Sequence, residues 1–177
     1  MPRVEYLLIF NALLFGIGSS LYFLSFARII QENRVRQEWR WFAVALPFFL
    51  MGLAMWFVDY GYLESIDDNF WSFIASFVST GFLFVIAAIL NPEGSKVGWG
   101  YLRSRVDEVL IVFTIGYFWD VGYHTLWMGI EQPVWVYPML AFLLAGTTMY
   151  RIKDNVFWRV FTMVVVYSQL ILILMKM

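Results

Sequence analysis

Three ionisable residues lie within long apolar stretches of the sequence, where a charged side chain is costly and therefore indicates function. Asp120 and His124 are four residues apart in one stretch, so a helix places both side chains on the same face. Asp59 lies in another stretch, at about the same depth as His124 when each helical residue rises about 1.5 Å. Three uncharged polar residues on other helices can join the same layer: Asn11, Tyr137 and Gln169.

Three kinds of chemistry compete for Asp120 and His124. In the first, the pair is structural: neighbouring hydroxyl groups satisfy Asp120, and His124 binds water near the membrane surface. In the second, both residues are metal ligands, since imidazole suits copper, iron, zinc and nickel. Two ligands do not make a tight site, so Asp59 or a residue of another chain would have to complete it. In the third, the pair is a proton relay or a substrate contact, because histidine titrates near neutral pH.

The residues around this pair resemble a known metal-site helix. The sequence reads WDVGYHTLW over 119–127 and is followed by Glu131 and Pro133. It is similar to the metal-site helix of the C subunit of copper-dependent membrane monooxygenases, which oxidise methane, ammonia or short hydrocarbons. Asp120 and His124 match the first two ligands of the family pattern, and Tyr137 stands where the family has its second histidine. The resemblance implies copper and a membrane subunit that has lost its metal or never had a full site.

The composition excludes several other chemistries. Without cysteine there is no disulfide, iron–sulfur cluster or thiolate metal site. A single histidine cannot supply the two axial imidazoles of a bis-histidine haem. No lysine lies in the middle of an apolar stretch, so a retinal-type Schiff base has no candidate. The net charge of −1 argues against a basic surface for nucleic acid.

The overall composition predicts whether the chain lies in water or in lipid. Of its 177 residues, 62% are hydrophobic and 14% are charged. Soluble domains contain about 45–50% apolar and about 25% charged residues. The chain is therefore expected to have lipid as its solvent and to form one transmembrane domain over residues 1–177, with no soluble catalytic domain.

Apolar runs between polar breaks predict an all-α, polytopic membrane helix bundle with six transmembrane helices. The expected spans are 6–30, 41–63, 70–90, 107–130, 133–150 and 156–175. The fifth is short and contains Pro138, so five spans with a re-entrant fifth segment are the alternative. Asp107 and Glu108 are expected to open the fourth helix, where their charges favour the helix dipole and Arg103 and Arg105 can pair with them. Arg159 is expected to extend towards the membrane surface.

The basic residues predict the orientation. With six spans, ten of the twelve lysines and arginines fall on one side. They are Arg28, Arg34, Arg36, Arg40, Lys96, Arg103, Arg105, Arg151, Lys153 and Arg159. The positive-inside rule places these loops in the cytoplasm and both termini outside. The expected location is the plasma membrane.

Together these patterns favour an integral subunit of a multi-chain membrane complex, of the copper monooxygenase type. It would pack against other membrane subunits and lend Asp120 and His124 to a metal, as an accessory or structural subunit rather than a complete enzyme. The alternative is a small self-contained transporter or channel that uses Asp59, Asp120 and His124 as a proton or substrate site. A membrane sensor, the third option, would need a partner chain for its output.

Overall fold

The computed structural model describes residues 3–62, 70–91, 97–126, 136–149 and 156–176, together with residues 129 and 134. Within these ranges the chain is all-α, with six helices and no strand. The helices are α1 (Arg3–Gln31), α2 (Trp39–Tyr62), α3 (Phe70–Leu90), α4 (Trp99–Leu126), α5 (Val136–Met149) and α6 (Val156–Lys176). Of the expected ends, 63, 130, 133 and 150 lie outside the described residues.

The main difference from expectation is the start of α4, which begins at Trp99 rather than Asp107. The carboxylate of Glu38, just before α2, accepts a hydrogen bond from the backbone N–H of Trp99. Gly98 precedes it with φ +134°, and a Cβ there would approach the Glu38 carboxylate to 2.6 Å. A glycine is therefore required at this contact. The hydrogen-bond acceptor at the start of α4 thus comes from a distant part of the chain, and the helix starts ahead of its own acidic residues, Asp107 and Glu108.

Contacts between side chains show the direction of α3 relative to α1. Phe10 of α1 lies against Phe77 of α3, with ring centroids 4.9 Å apart. Further along both helices Gly18 faces Phe84, so α1 and α3 run in the same direction.

The second helix runs the opposite way. Tyr22 of α1 contacts Phe49 of α2, at 5.2 Å between ring centroids. Phe26, later in α1, stacks on Phe42, which is earlier in α2. Consecutive helices α1, α2 and α3 therefore alternate in direction.

The fourth helix runs with α2. The first residue of α4 contacts Glu38, and Phe113 further along α4 packs on Phe48 of α2, at 5.7 Å between ring centroids. α4 also packs on α3, α5 and α6, whereas the described part of α1 packs on α2 and α3 alone.

The core and the surface of the bundle are both apolar. Trp41, Phe48 and Trp158 are fully buried, and Trp41 donates its indole N–H to the carbonyl oxygen of Leu90. Large apolar side chains also cover the outside of the described helices, for example Leu13 (57% exposed) on α1. Contiguous exposed apolar surface of this kind is unusual for a soluble monomer.

Two of the described helices are long and apolar enough to cross a membrane, over Ile9–Gln31 and Trp99–Leu126. Three shorter apolar segments lie in the other long helices, over Trp39–Leu53, Phe77–Leu90 and Val156–Leu172. The described structure is therefore an all-α bundle with two segments that fit a membrane by length and composition.

Candidate functional site

Asp120 and His124 lie one turn apart on the same face of α4, as their spacing predicts. The Nδ1 atom of His124 is 2.8 Å from the backbone carbonyl oxygen of Asp120 and 3.5 Å from the Asp120 Oδ1 atom. A carbonyl oxygen can only accept, so this contact is a hydrogen bond in the tautomer that has its proton on Nδ1. In the neutral ring Nε2 then carries the lone pair. Each side chain is 23% exposed, so the pair lies near the surface of the bundle rather than at its centre.

Two further polar side chains belong to the same site. Tyr117 lies one turn before Asp120, within electrostatic range of its carboxylate, and its phenol hydrogen-bonds the side chain of Gln169 on α6. The ring of Tyr117 stacks on Phe113, with centroids 5.8 Å apart. The structure therefore brings the predicted residue Gln169 to α4 through Tyr117, which is not among the residues of the predicted polar layer. Its position three residues before Asp120 is the signal that places it on the same helix face.

The other predicted members of the polar layer lie elsewhere or outside the described part. Asn11 is buried at 4% exposure in α1, which packs on α2 and α3, so the structure does not bring it to Asp120. Tyr137 lies in the first turn of α5 and is 48% exposed. The side chain of Asp59 lies outside the part of the chain that the structure describes.

Asp120 and His124 by themselves do not form a complete metal site. Among the described residues, no group of three His, Cys, Asp or Glu side chains lies close enough to hold a metal ion. Both available donors come from one helix. A carboxylate oxygen and one imidazole nitrogen are two of the four ligands that a tetrahedral zinc ion takes, for example. The described residues therefore do not by themselves fit a resident metal.

A second polar pair joins α4 to α6 further along the bundle. Arg159 donates from Nε and Nη2 to the two carboxylate oxygens of Asp107, at 2.5 Å each. Asp107 is only 8% exposed. The expectation that Asp107 acts at the start of a helix is corrected, since it lies inside α4 and binds a guanidinium of another helix. The expected local pair does form, between Arg105 and Glu108.

These two cross-contacts show that α4 and α6 run parallel and in register. Arg159 lies 52 residues after Asp107, and Gln169 lies the same number of residues after Tyr117. The interface keeps one register over the intervening turns. After the end of α4 the chain must therefore run back along the length of α4 before α6 begins. The part of the chain that does so contains α5.

Between the two polar pairs, the interface of α4 with α6 consists of apolar side chains and of hydroxyl groups that hydrogen-bond within their own helix. Thr114 of α4 and Thr162 of α6 are fully buried, and each hydroxyl donates to a carbonyl oxygen of its own helix. The side chains around them are buried and apolar: Leu110, Phe113, Val165 and Val166. Within the described residues, no continuous polar path joins Asp120 to Asp107.

Comparison of the chain with protein-family models, with curated proteins and with solved structures gives no match. The resemblance of residues 119–133 to a copper monooxygenase subunit therefore has only those residues as its support.

Proposed function

We propose that this chain is an integral membrane protein whose six helices all cross the bilayer, and that it is an accessory subunit of a multi-chain membrane complex. The observation that carries the proposal is the pair of Asp120 and His124. Two potential ligands lie on one helix, partly exposed at the surface of the bundle, without a third His, Cys, Asp or Glu beside them in the described chain.

The directions of the helices support six crossings. α1, α2, α3 and α4 alternate in direction, and α6 runs parallel to α4. A re-entrant fifth segment would leave α6 starting on the side where α4 ends, and α6 would then be antiparallel to α4. The parallel register of these two helices favours a fifth segment that crosses.

The positions of the arginines support the proposed orientation. We use the term basic end for the side of the bundle where α1 and α3 end and where α2, α4 and α6 begin. Every arginine or lysine whose side chain the structure describes lies there: Arg28, Arg34, Arg36, Arg40, Arg103, Arg105 and Arg159. By the positive-inside rule this end faces the cytoplasm and both termini lie outside. The proposed location is the plasma membrane.

An exposed apolar surface of α4 supports a partner chain. Ile115, Phe118 and Trp119 of α4 are 46%, 52% and 39% exposed. They form an apolar surface on the face of α4 that points away from Asp120 and His124. A neighbouring membrane subunit packed on this face would bury apolar surface of α4, and the missing ligands would have to reach Asp120 and His124 from the other side of the helix. If the complex is of the copper monooxygenase type, the Asp120 carboxylate and Nε2 of His124 are the atoms this chain would offer.

The alternative function is a transporter or channel that uses Asp120 and His124 to hold a proton or a polar substrate. The close contact of a carboxylate with the single imidazole favours it. The apolar interface between Thr114 and Asp107 argues against a path that continues to the basic end. We therefore rank the subunit proposal first.

Purification of the tagged chain from its own membrane in a mild detergent tests the proposal. We expect a particle well above the 20.9 kDa of the chain, with partner chains in fixed stoichiometry and a metal detected by elemental analysis. The double variant Asp120→Asn/His124→Gln should keep the partners and lose the metal. Tyr137→Phe, which alters an exposed polar residue of α5, should keep both.

A monodisperse single chain without metal would contradict the subunit proposal. Such a preparation should then be reconstituted into proteoliposomes. Solute or proton flux that disappears in Asp120→Asn would establish the transporter alternative instead.

A further inference from the structure

The basic end carries more arginines than its carboxylates can pair with. In the described chain each carboxylate at this end already has an arginine: Glu32 and Glu38 contact Arg34, Glu108 contacts Arg105, and Asp107 contacts Arg159. The excess holds for the whole sequence of this end. Its ten basic residues face six acidic ones, Glu32, Glu38, Glu93, Asp107, Glu108 and Asp154.

Three exposed arginines make no ion pair with any carboxylate that the structure describes. They are Arg36 and Arg40, on either side of the start of α2, and Arg103 in the first turns of α4. Exposed positive charges without a carboxylate partner in the described chain are expected to take an anion from their surroundings.

Arg40 is held in a defined position by two indole rings. Its guanidinium carbon lies 5.5 Å from the ring centroid of Trp39 and 5.9 Å from that of Trp99. Such contacts place the cation over the faces of the indole rings. The guanidinium N–H groups form a fork of donors that matches two oxygens of a phosphate group.

The backbone at Trp99 is held by the contacts that begin α4. Glu38 accepts a hydrogen bond from the Trp99 backbone N–H, and Arg34 donates to the carbonyl oxygen of Val97 at 3.2 Å. Arg103 follows Trp99 by four residues in α4, so the two side chains share a helix face. The two indole rings near Arg40 therefore belong to α2 and α4, and Arg103 lies on the same face of α4 as Trp99.

We propose that Arg40, held between Trp39 and Trp99, binds the phosphate of an anionic phospholipid headgroup, with Arg103 as a second contact. The site lies where tryptophan and arginine meet the headgroups of a membrane-spanning bundle. The proposal depends on the membrane insertion put forward above and not on partner chains or on Asp120 and His124.

Native mass spectrometry of the protein from mixed vesicles tests this site. The purified chain is reconstituted into phosphatidylcholine with phosphatidylglycerol, extracted gently, and the retained phospholipids are counted. We expect selective retention of phosphatidylglycerol. Each of Arg40→Gln and Arg103→Gln should weaken it by about fivefold, the attraction of one arginine to an anionic membrane surface. Trp39→Leu leaves the charge unchanged and should also weaken retention.

The matched control is Arg105→Gln, which removes one positive charge from the same end but from an arginine that is already paired with Glu108. It should leave phosphatidylglycerol retention close to that of the parent. Equal losses in Arg40→Gln and Arg105→Gln would overturn the proposal, because net charge alone would then explain binding. Displacement of the lipid by inorganic phosphate would overturn it in favour of a site for free phosphate.

Flotation of the same vesicles after carbonate washing distinguishes a failure of the lipid-site proposal from a failure of the membrane proposal. A chain that floats but shows no preference for phosphatidylglycerol would contradict the lipid site and leave the membrane proposal standing. A chain that carbonate removes from the vesicles would contradict membrane insertion itself.

Discussion

Polar side chains occur at two levels along α4, and they differ in how well they are satisfied. Asp107 has both carboxylate oxygens bound by one guanidinium of α6. Asp120 faces an imidazole whose Nδ1 is already engaged by a backbone carbonyl oxygen, and Tyr117 lies beside it. The first arrangement holds two helices together, whereas the second leaves a carboxylate and an imidazole nitrogen for a ligand.

The Asp107–Arg159 pair is expected to stabilise the bundle. Asp107→Asn leaves the guanidinium of Arg159 without its counter-charge and should lower the free energy of unfolding by roughly 2–4 kcal/mol. Loss of one partner of a fully buried pair costs about 3–5 kcal/mol, and the value is reduced here because the Arg159 side chain is 31% exposed. Unfolding by SDS in mixed micelles measures the change.

Two controls identify the cause of that loss. Glu108→Gln breaks the exposed pair with Arg105 and should cost no more than about 1 kcal/mol. The double variant Asp107→Asn/Arg159→Gln should be less destabilised than the sum of its single variants. Additive losses would show that the two side chains do not stabilise each other.

At the scale of the helices, α4 is packed most closely where it crosses α3. A Cβ added to Gly116 would lie 3.0 Å from the side chain of Phe82. Gly122, on the same helix, has nothing within 4 Å of that position. Both glycines lie in α4, and they differ in the free space around them.

Substitution of these glycines tests the packing of α3 on α4. Gly116→Ala should lower the free energy of unfolding by about 1–3 kcal/mol, because Phe82 must shift in a filled interface. Gly122→Ala should be neutral or stabilise by up to about 1 kcal/mol, since alanine is the better helix former. Thermal unfolding followed by circular dichroism compares them, and equal melting temperatures would contradict the close approach.

The central residues of the described helices could be predicted from the sequence, because apolar runs are a local signal. The start of α4 could not, because its first backbone N–H is satisfied by Glu38 from a distant part of the chain. In the site, Asp120 and His124 are neighbours on one helix and their spacing predicts their contact. The pairing of Asp107 with Arg159 depends on the register of two helices, which no local pattern contains.

At the scale of the whole molecule, helix direction and charge agree. α1 and α3 run towards the basic end, whereas α2, α4 and α6 run away from it. The arginines with described side chains are at that end, and Glu5 is near the opposite one. The positive charges of the described side chains are thus confined to one end of the bundle.

Single cysteines report this orientation cleanly, because the parent chain has none. In intact cells an impermeant maleimide should label Val134→Cys, and it should label Arg36→Cys and Lys153→Cys only after permeabilisation. Val134 is 82% exposed, so the reagent can reach it. The three positions follow α4, α1 and α5 in turn.

Two outcomes of the labelling would contradict the six-span arrangement. Lys153→Cys labelled from outside would show that the fifth segment does not cross. Arg36→Cys labelled from outside would reverse the orientation of the first two helices. The cysteine-free parent serves as the blank.

The contact of Glu38 with Trp99 has a consequence for how the protein is made. The acceptor for the first N–H of α4 leaves the ribosome 61 residues before the donor does. The N-terminal hairpin is thus available as a template while the later helices are still being synthesised. The order of synthesis therefore places the acceptor of this contact before its donor, so α4 meets its partner as soon as its own first residue is made.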